Sequence, residues 1–235
     1  MKIDNKIFAK NSAWSFDKNI PKNFDKHILK SVPLYHQMHW LCEQLSDFYI
    51  KENSLVYDIG CSTGTLLNNL AKRHKLKKKN KFIGLDVVKK MTTFAKKNNS
   101  NKRIKFLNKD IVNYKLLKSD FIICFYTLQF IHPKYRQKVV NKIFKSLEWG
   151  GALFLCEKVR SYDARSQDQM TTIYEEFKSQ NGFSEKEITA KKKSLKGILE
   201  PFSSNANIQM LKRAGFKDVS TIAKFVSFEG FLAIK

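Results

Sequence analysis

The sequence predicts an α/β fold: a doubly wound, mostly parallel sheet with an antiparallel hairpin at its C-terminal end. Three observations carry this. From residue 51 to 160, short apolar runs alternate with segments of helical period. One of those runs, SDFIICFYT, is apolar throughout, as strands covered on both faces are. Carboxylates close three successive runs, at Asp58, Asp86 and Asp110. In such sheets the strand ends are where ligands sit.

The elements follow in order. Residues 1–30 are polar with isolated aromatics (Phe8, Trp14, Phe16, Phe24), and read as an arm that packs on the domain. SVPLYHQMHWLCEQLSDFYI, 31–50, has helical spacing after Pro33. SLVYDIG is a buried strand and TLLNNLAKRH a helix; KFIGLDV and KKMTTFAKKN repeat the pair. RIKFLNKD and SDFIICFYT are the third and fourth strands. PKYRQKVVNKIFKSLE is a helix closed by Trp149-Gly150-Gly151, and ALFLCEKV is the fifth strand. Residues 161–198 are polar and mainly helical, broken at Asn181-Gly182, and read as an insertion over the site. NIQMLKRAGF is a helix with a glycine cap. KDVSTIAKFVSFEGFLAIK reads as two strands, a hairpin at the sheet edge. The whole, 1–235, is one domain: arm and helix (1–50), ligand-binding core (51–160), helical insertion (161–200), C-terminal helix and strands (201–235).

The length of 235 residues suffices for one α/β core. Hydrophobic content of 43% and aromatic content of 13% suit an ordinary globular chain. No apolar run approaches the ~18–20 residues that cross a bilayer. MKIDNKIFAKNSAW lacks the apolar stretch of a signal peptide. Cys42, Cys61, Cys124 and Cys156 are scattered without metal spacing, which suits reduced thiols in the cytoplasm. His36-x-x-His39 share a helical face, but no third ligand accompanies them, so no metal is expected.

The net charge is +23. Arginine occurs only at 73, 103, 136, 160, 165 and 213; the remaining cations are lysines mixed with asparagine, as in KKKNK and KKNNSNK. That mixture reads as a solvated surface that steers anions, and not as a direct nucleic-acid interface.

Residues 58–64 read Asp-Ile-Gly-Cys-Ser-Thr-Gly. Gly60 and Gly64 let the main chain approach a ligand where a Cβ would clash. The loop opens onto a helix N-terminus, whose free N–H groups favour negative charge. Gly-Lys-Ser/Thr is absent, which excludes the lysine-bearing phosphate loop. Thr65 and Leu66 stand where a nicotinamide-type loop would keep a third glycine. Asp86 can accept two hydrogen bonds from ribose hydroxyls. Asp110 can accept from an exocyclic amine, with Ile111 bordering an adenine. This pattern resembles the class I S-adenosylmethionine (SAM) dependent methyltransferases and implies their Rossmann-like fold and SAM as ligand.

Longer stretches resemble one family more closely. SVPLY (31–35), VYDIGCS (56–62), YTLQFI (126–131), RQKVVNKIFKSLEWGGALFLCEK (136–158), NGFSEKEI (181–188) and LKRAGF (211–216) occur in the order of the carboxy-S-adenosylmethionine synthases. The resemblance implies a cytoplasmic, homodimeric transferase that makes no methyl transfer. It would take SAM and prephenate, release phenylpyruvate, and deliver carboxy-SAM to an enzyme that modifies a tRNA wobble uridine. It places Tyr35 beside SAM, Gly60, Cys61 and Ser62 at its amino-acid part, Asp86 and Val87 at the ribose, and Asp110 and Ile111 at the adenine, with Phe125 at the end of the fourth strand. It implies that the acidic methyl of the sulfonium loses a proton and captures carbon dioxide released from prephenate, whose ring becomes aromatic. Confinement would then matter more than acid–base residues.

Three positions depart from the family pattern. Val87 and Phe125 replace asparagines. Lys192 replaces the arginine that grips the new carboxylate, which keeps the charge and loses the two-pronged hydrogen bond. One charge-assisted hydrogen bond is worth about 1.5–3 kcal/mol, so roughly tenfold in affinity is at stake. A SAM-dependent methyltransferase of a small molecule or RNA, and a non-catalytic SAM-binding protein, remain as alternative readings.

Overall fold

The strand order follows from where each crossover helix returns the chain. In a computed structural model, which describes residues 2–3, 7–8, 12 and 20–235, five parallel strands form the centre. They are β3 (Leu55–Ile59), β4 (Lys81–Asp86), β5 (Ile104–Asn108), β6 (Ser119–Phe125) and β7 (Leu147–Lys158). A separate two-residue pair, β1 (Lys2–Ile3) and β2 (Ile7–Phe8), precedes them. The packing expected of Trp14 and Phe16 lies outside the described residues, and of Phe8 only the backbone is described.

The large sheet has seven strands in the order β5-β4-β3-β6-β7-β9-β8, where β8 is Asp218–Phe225 and β9 is Phe228–Ile234. The chain walks outward from β3 to β4 and β5, then returns to lay β6 on the other side of β3. The tips of β3, β4 and β6 therefore flank a crevice at the switch point. The C-terminal hairpin inserts β9 between β7 and β8, antiparallel to both. The doubly wound sheet and the antiparallel hairpin are as the sequence predicts.

Alternation along the strands separates two core layers. Val56, Phe121 and Ile123 face one side, with Cys42, Leu67 and Leu70 from helices α2 (Tyr35–Tyr49) and α3 (Thr65–Arg73). Tyr57, Ile59 and Ile122 face the other, with Val139, Val140 and Ile143 from α5 (Pro133–Ser146) and Leu211 from α8 (Ser204–Ala214). Period-2 strands thus meet period-3.6 helices on both faces. Between β4 and β5 lies α4 (Lys89–Lys97).

Capping residues explain the helix starts in the insertion. Asp163 Oδ1 accepts from Ser166 N and opens α6 (Ala164–Gln180). Ser184 and Glu187 form a reciprocal box that opens α7 (Glu185–Ser194). The expected break at Asn181-Gly182 separates these two helices, and Gly182 takes a left-handed φ of 87°.

Two expectations shift. Part of the N-terminal arm is a helix, α1 (Ile20–Ser31). Its buried face is Phe24, His27, Ile28 and Ser31, a proper i, i+3, i+4, i+7 stripe in which only two members are apolar. The helix expected to run through Glu148 ends at Ser146, and β7 begins at once. Leu147 is fully buried and pairs with Ser119 across a bulge, so the sheet takes the residue that helical period would have kept.

Phe121 has no exposed surface, and its ring stacks on Tyr49 with centroids 5.6 Å apart. Phe121→Ala should lower the unfolding free energy by about 3–5 kcal/mol, read as a lower urea midpoint at unchanged slope. A loss under about 1 kcal/mol would mean that the layer refills the void.

A cavity at the strand tips as candidate functional site

A cavity of about 770 Å³ opens at the C-terminal ends of β3, β4 and β6. The loop after β3 forms its floor. Gly60 and Gly64 both adopt φ 78°. A Cβ on Gly60 would overlap Thr127 Oγ1, and one on Gly64 would stand 2.5 Å from the Phe106 ring. Both glycines are therefore required by close approach as well as by φ. Ser62 between them is also left-handed, at φ 49°, a strained conformation for a residue with a side chain.

Four of the loop's N–H groups have partners inside the protein. Gly60 N and Cys61 N donate to Leu85 O at 2.7 and 3.0 Å. Ser62 N donates to Asp86 Oδ2 at 2.9 Å, and Gly64 N to Cys61 O at 2.8 Å. Gly60, Cys61 and Ser62 all line the cavity, on a main-chain course that these bonds fix. The Cys61 side chain is buried, and its Sγ would stand 2.8 Å from a Cβ placed on Gly84.

The three strand-end acids differ in state. Asp86 is buried, and its two oxygens accept from Ser62 N and from Val88 N at 2.8 Å. Burial pushes its pKa up, and those two N–H bonds pull it down. Asp58 is 2% exposed and lines the cavity, and its Oδ1 has no hydrogen-bond partner. Burial, with the charge of Asp86 adding, pushes the Asp58 carboxyl up to about 7. Asp110 is exposed, and its Oδ1 accepts from Val112 N at 2.8 Å, which turns the chain so that Ile111 is buried beside it.

The remaining expected residues fall as follows. Tyr35 and Phe125 line the cavity and belong to one aromatic group: the Phe125 centroid is 5.2 Å from Tyr35, 4.9 Å from His39 and 4.6 Å from Tyr126. Burial pushes the Tyr35 phenol up and holds His39 neutral, its pKa lowered to about 4. Val87 lies at the rim, 69% exposed, with its carbonyl accepting from Asn108 Nδ2 at 2.8 Å. Lys192 does not line the cavity. It lies on the surface and pairs with Glu175 Oε1 at 3.2 Å. Lys191 lines it instead, with Nζ 2.7 Å from His27 Nε2. The helical rotation of α7 decides this, since neighbours on a helix point about 100° apart.

Several lining residues escaped the sequence reading. Helix α1 supplies a wall through Phe24, His27, Ile28 and Ser31. It is tied to the floor by Asp25, which accepts from Thr63 Oγ1 at 2.8 Å and Thr65 Oγ1 at 3.0 Å. The available signal was its i, i+3, i+4, i+7 stripe. Burial, then Lys191 and Lys30, lower His27 to about 3, so its Nε2 accepts from the Lys191 ammonium. Lys158 at the end of β7 and Tyr174 on α6 form the opposite wall. Behind the segment 127–132, the buried Glu157 accepts from Leu128 N at 3.0 Å, and Arg136 donates to Gln129 O, Ile131 O and Glu200 O.

Among the described residues, no three His, Cys, Asp or Glu side chains are grouped to hold a metal, and no helix is long and apolar enough to cross a membrane.

Asp58 makes stability depend on pH. Its folded pKa of about 7 exceeds the ordinary 3.8. Its contribution is thus full below about pH 4 and is lost as the pH rises through 7. Asp58→Asn should flatten the fall of unfolding free energy across that window, a slope of at most about 1.4 kcal/mol per pH unit. Urea titrations at several pH values check this; an unchanged slope would show that Asp58 is ionised throughout.

Comparison with known proteins agrees with this geometry. A family model described as a methyltransferase domain matches residues 56–151. The crystal structure of human N-acetylserotonin methyltransferase in complex with SAM superposes with a TM-score of 0.62 at 16% identity, over 94% of this chain and 60% of that one. An O-methyltransferase family protein from Burkholderia thailandensis gives 0.64 at 16%, over 93% and 60%. These two are likenesses of fold. The carboxy-S-adenosyl-L-methionine synthase of Staphylococcus epidermidis is 35% identical over 223 residues, 94% of this chain and 97% of that protein. That of Campylobacter lari is 35% identical over 237 residues, 99% and 100%. At that identity over nearly the whole of both chains, this protein belongs to the carboxy-S-adenosyl-L-methionine synthase family.

Proposed function

We propose that the chain converts SAM and prephenate into carboxy-SAM and phenylpyruvate, and so supplies the donor for a tRNA wobble-uridine modification. The observation that carries this is the identity with two named carboxy-SAM synthases along nearly their full length. The cavity supports it in several ways. A volume of about 770 Å³ accommodates two substrates of metabolite size. The partnerless, buried Oδ1 of Asp58 suits the positive charge of the SAM amino group. The N-terminus of α3 favours the adjoining carboxylate.

In this reading Tyr35, Gly60, Cys61 and Ser62 hold the amino-acid end of SAM. Asp86 has lone pairs beyond its two N–H bonds for ribose hydroxyls. The main chain at Val87, with Asp110 and Ile111, borders the adenosine. Lys191 takes the place expected for Lys192 near the new carboxylate.

The chemistry comes from the substrates. The sulfonium makes the methyl acidic. Prephenate loses carbon dioxide and its ring hydroxyl as the ring becomes aromatic; the hydroxyl leaves as water with the methyl proton, and the methyl carbon takes up the carbon dioxide. The chain's part is confinement. Tyr35, Phe125, Tyr126 and Phe228 present aromatic surface that excludes water where the two substrates meet. The buried lysines opposite attract the dianion. Four buried free cysteines suit a reducing, cytoplasmic setting. A homodimer belongs to the same reading, and the exposed Trp40 and Phe48 on α2, at 61% and 75%, offer apolar surface for it.

Mass spectrometry of protein incubated with SAM and prephenate should reveal a SAM derivative heavier by one carboxyl group. Bound SAM without that product would reject the reading, and methyl transfer to another molecule would replace it. Gly60→Ala should cut SAM affinity by at least about tenfold in calorimetry, because the added Cβ displaces Thr127 from beneath the loop.

A further inference from the structure

Two ammonium groups stand over one aromatic ring in the cavity wall. Lys158 Nζ and Lys178 Nζ each lie 4.3 Å from the Tyr174 ring centroid. Lys158 is also 5.9 Å from the Phe228 centroid. Tyr174 and Lys178 are one helical turn apart on α6. The Tyr174 hydroxyl is fixed by donation to Ser31 O at 2.7 Å. Lys178 is 7% exposed.

Neither ammonium has a carboxylate partner among the described residues. The nearby acid, Glu175 on α6, pairs with Lys192 of α7. The other cations that face Lys158 are Lys178 of α6, Arg160 just beyond β7 and Lys192 of α7. Burying like charges together is unfavourable, and the π face of one tyrosine offsets only part of that. Packing alone supplies no reason for the arrangement. An anion does. It has a route in, because Lys158, Tyr174 and Phe228 line the cavity, and Lys178 reaches the same Tyr174 ring. The ligand must also carry apolar surface, since Tyr174 and Phe228, 5.2 Å apart, flank the charge.

We propose that Lys158 binds a carboxylate of the second substrate directly, that Tyr174 and Phe228 pack on its ring, and that Lys178 is a positioning residue that fixes Tyr174. That this substrate is prephenate rests on the function proposed above; the carboxylate site rests on the geometry alone. Burial, with Lys178, Arg160 and Lys192 adding and Glu175 opposing, lowers Lys158 to about 8. The ammonium is present below that pH, so carboxylate affinity falls as the pH rises through it.

The test compares wild type, Lys158→Met, Lys158→Arg and Lys178→Met. Lys158→Met should raise KM for prephenate by at least about tenfold while SAM affinity by calorimetry stays at the wild-type value. Lys158→Arg should restore KM near neutral pH and remove the rise of KM above pH 8. Lys178→Met should move that rise to higher pH, because a like charge is gone. Wild-type KM in Lys158→Met would overturn the proposal. If Lys158→Met does not fold, persistence of the alkaline rise in Lys158→Arg overturns it equally. Binding of prephenate itself, followed by thermal shift without turnover, separates the two readings. If wild type forms no carboxy-SAM but binds prephenate through Lys158, the proposed function falls and the site stands. If carboxy-SAM forms and Lys158→Met is indifferent, the site falls and the function stands.

Discussion

The carboxylate of Asp86 ties together the two turns on which the cavity depends. One oxygen holds Ser62 N, in the loop after β3; the other holds Val88 N, in the turn after β4. Leu85 O, one residue earlier, takes Gly60 N and Cys61 N. Four backbone donors from two loops thus converge on adjacent residues of one strand end. The glycine loop is pinned in a left-handed course that costs free energy at Ser62 and is sterically open only to glycine at 60 and 64. The N–H groups of Gly60, Cys61, Ser62 and Gly64 are engaged within the protein, so a ligand meets a preformed loop. Such a loop need not reorganise on binding.

Buried acids and buried lysines reach the cavity from different elements. Asp58 and Asp86 lie in the floor, both with pKa values pushed up by burial. Lys158 and Lys178 lie in the opposite wall, both lowered to about 8 by burial. Burial in the sheet core and beneath the helices disfavours the charged form of each group. The partnerless Oδ1 of Asp58 and the ammonium of Lys158, which has no carboxylate within ion-pair distance among the described residues, are the two charges left for ligands to answer. Tyr35, His39, Phe125 and Tyr126 form one aromatic group that also lines the cavity. Phe125 contributes the ring at its centre, within 5.2 Å of Tyr35, His39 and Tyr126.

Much of the site was legible because its residues are local to strand ends. Gly60, Ser62, Asp86 and Ile111 each follow an apolar run by one or a few residues, so a correct strand assignment places them automatically. What was hidden lies on helices, where facing depends on rotation. Helix α1 went unseen because its inward face includes His27 and Ser31, residues that weaken an apolar stripe. The choice between Lys191 and Lys192 is a rotation of about 100° in α7, which a run of three lysines does not encode. The start of β7 at Leu147 escaped because helical period and strand pairing compete for the same residue, and only the bulge opposite Ser119 decides between them.

Chain chemistry alone therefore settles the doubly wound sheet, the glycine loop and the acids at its edge. These are consequences of periodicity, φ > 0 and strand-end position, all of which act within a few residues. Tertiary packing alone decides that Oδ1 of Asp58 is left without a hydrogen-bond partner, that Lys158 and Lys178 share the Tyr174 ring, and that Asp25 of α1 ties down the loop through Thr63 and Thr65. Apart from Lys178 on Tyr174, one turn away in α6, those contacts join residues 16 to 40 apart along the chain. Their strength depends on burial, and burial exists only once the layers have closed.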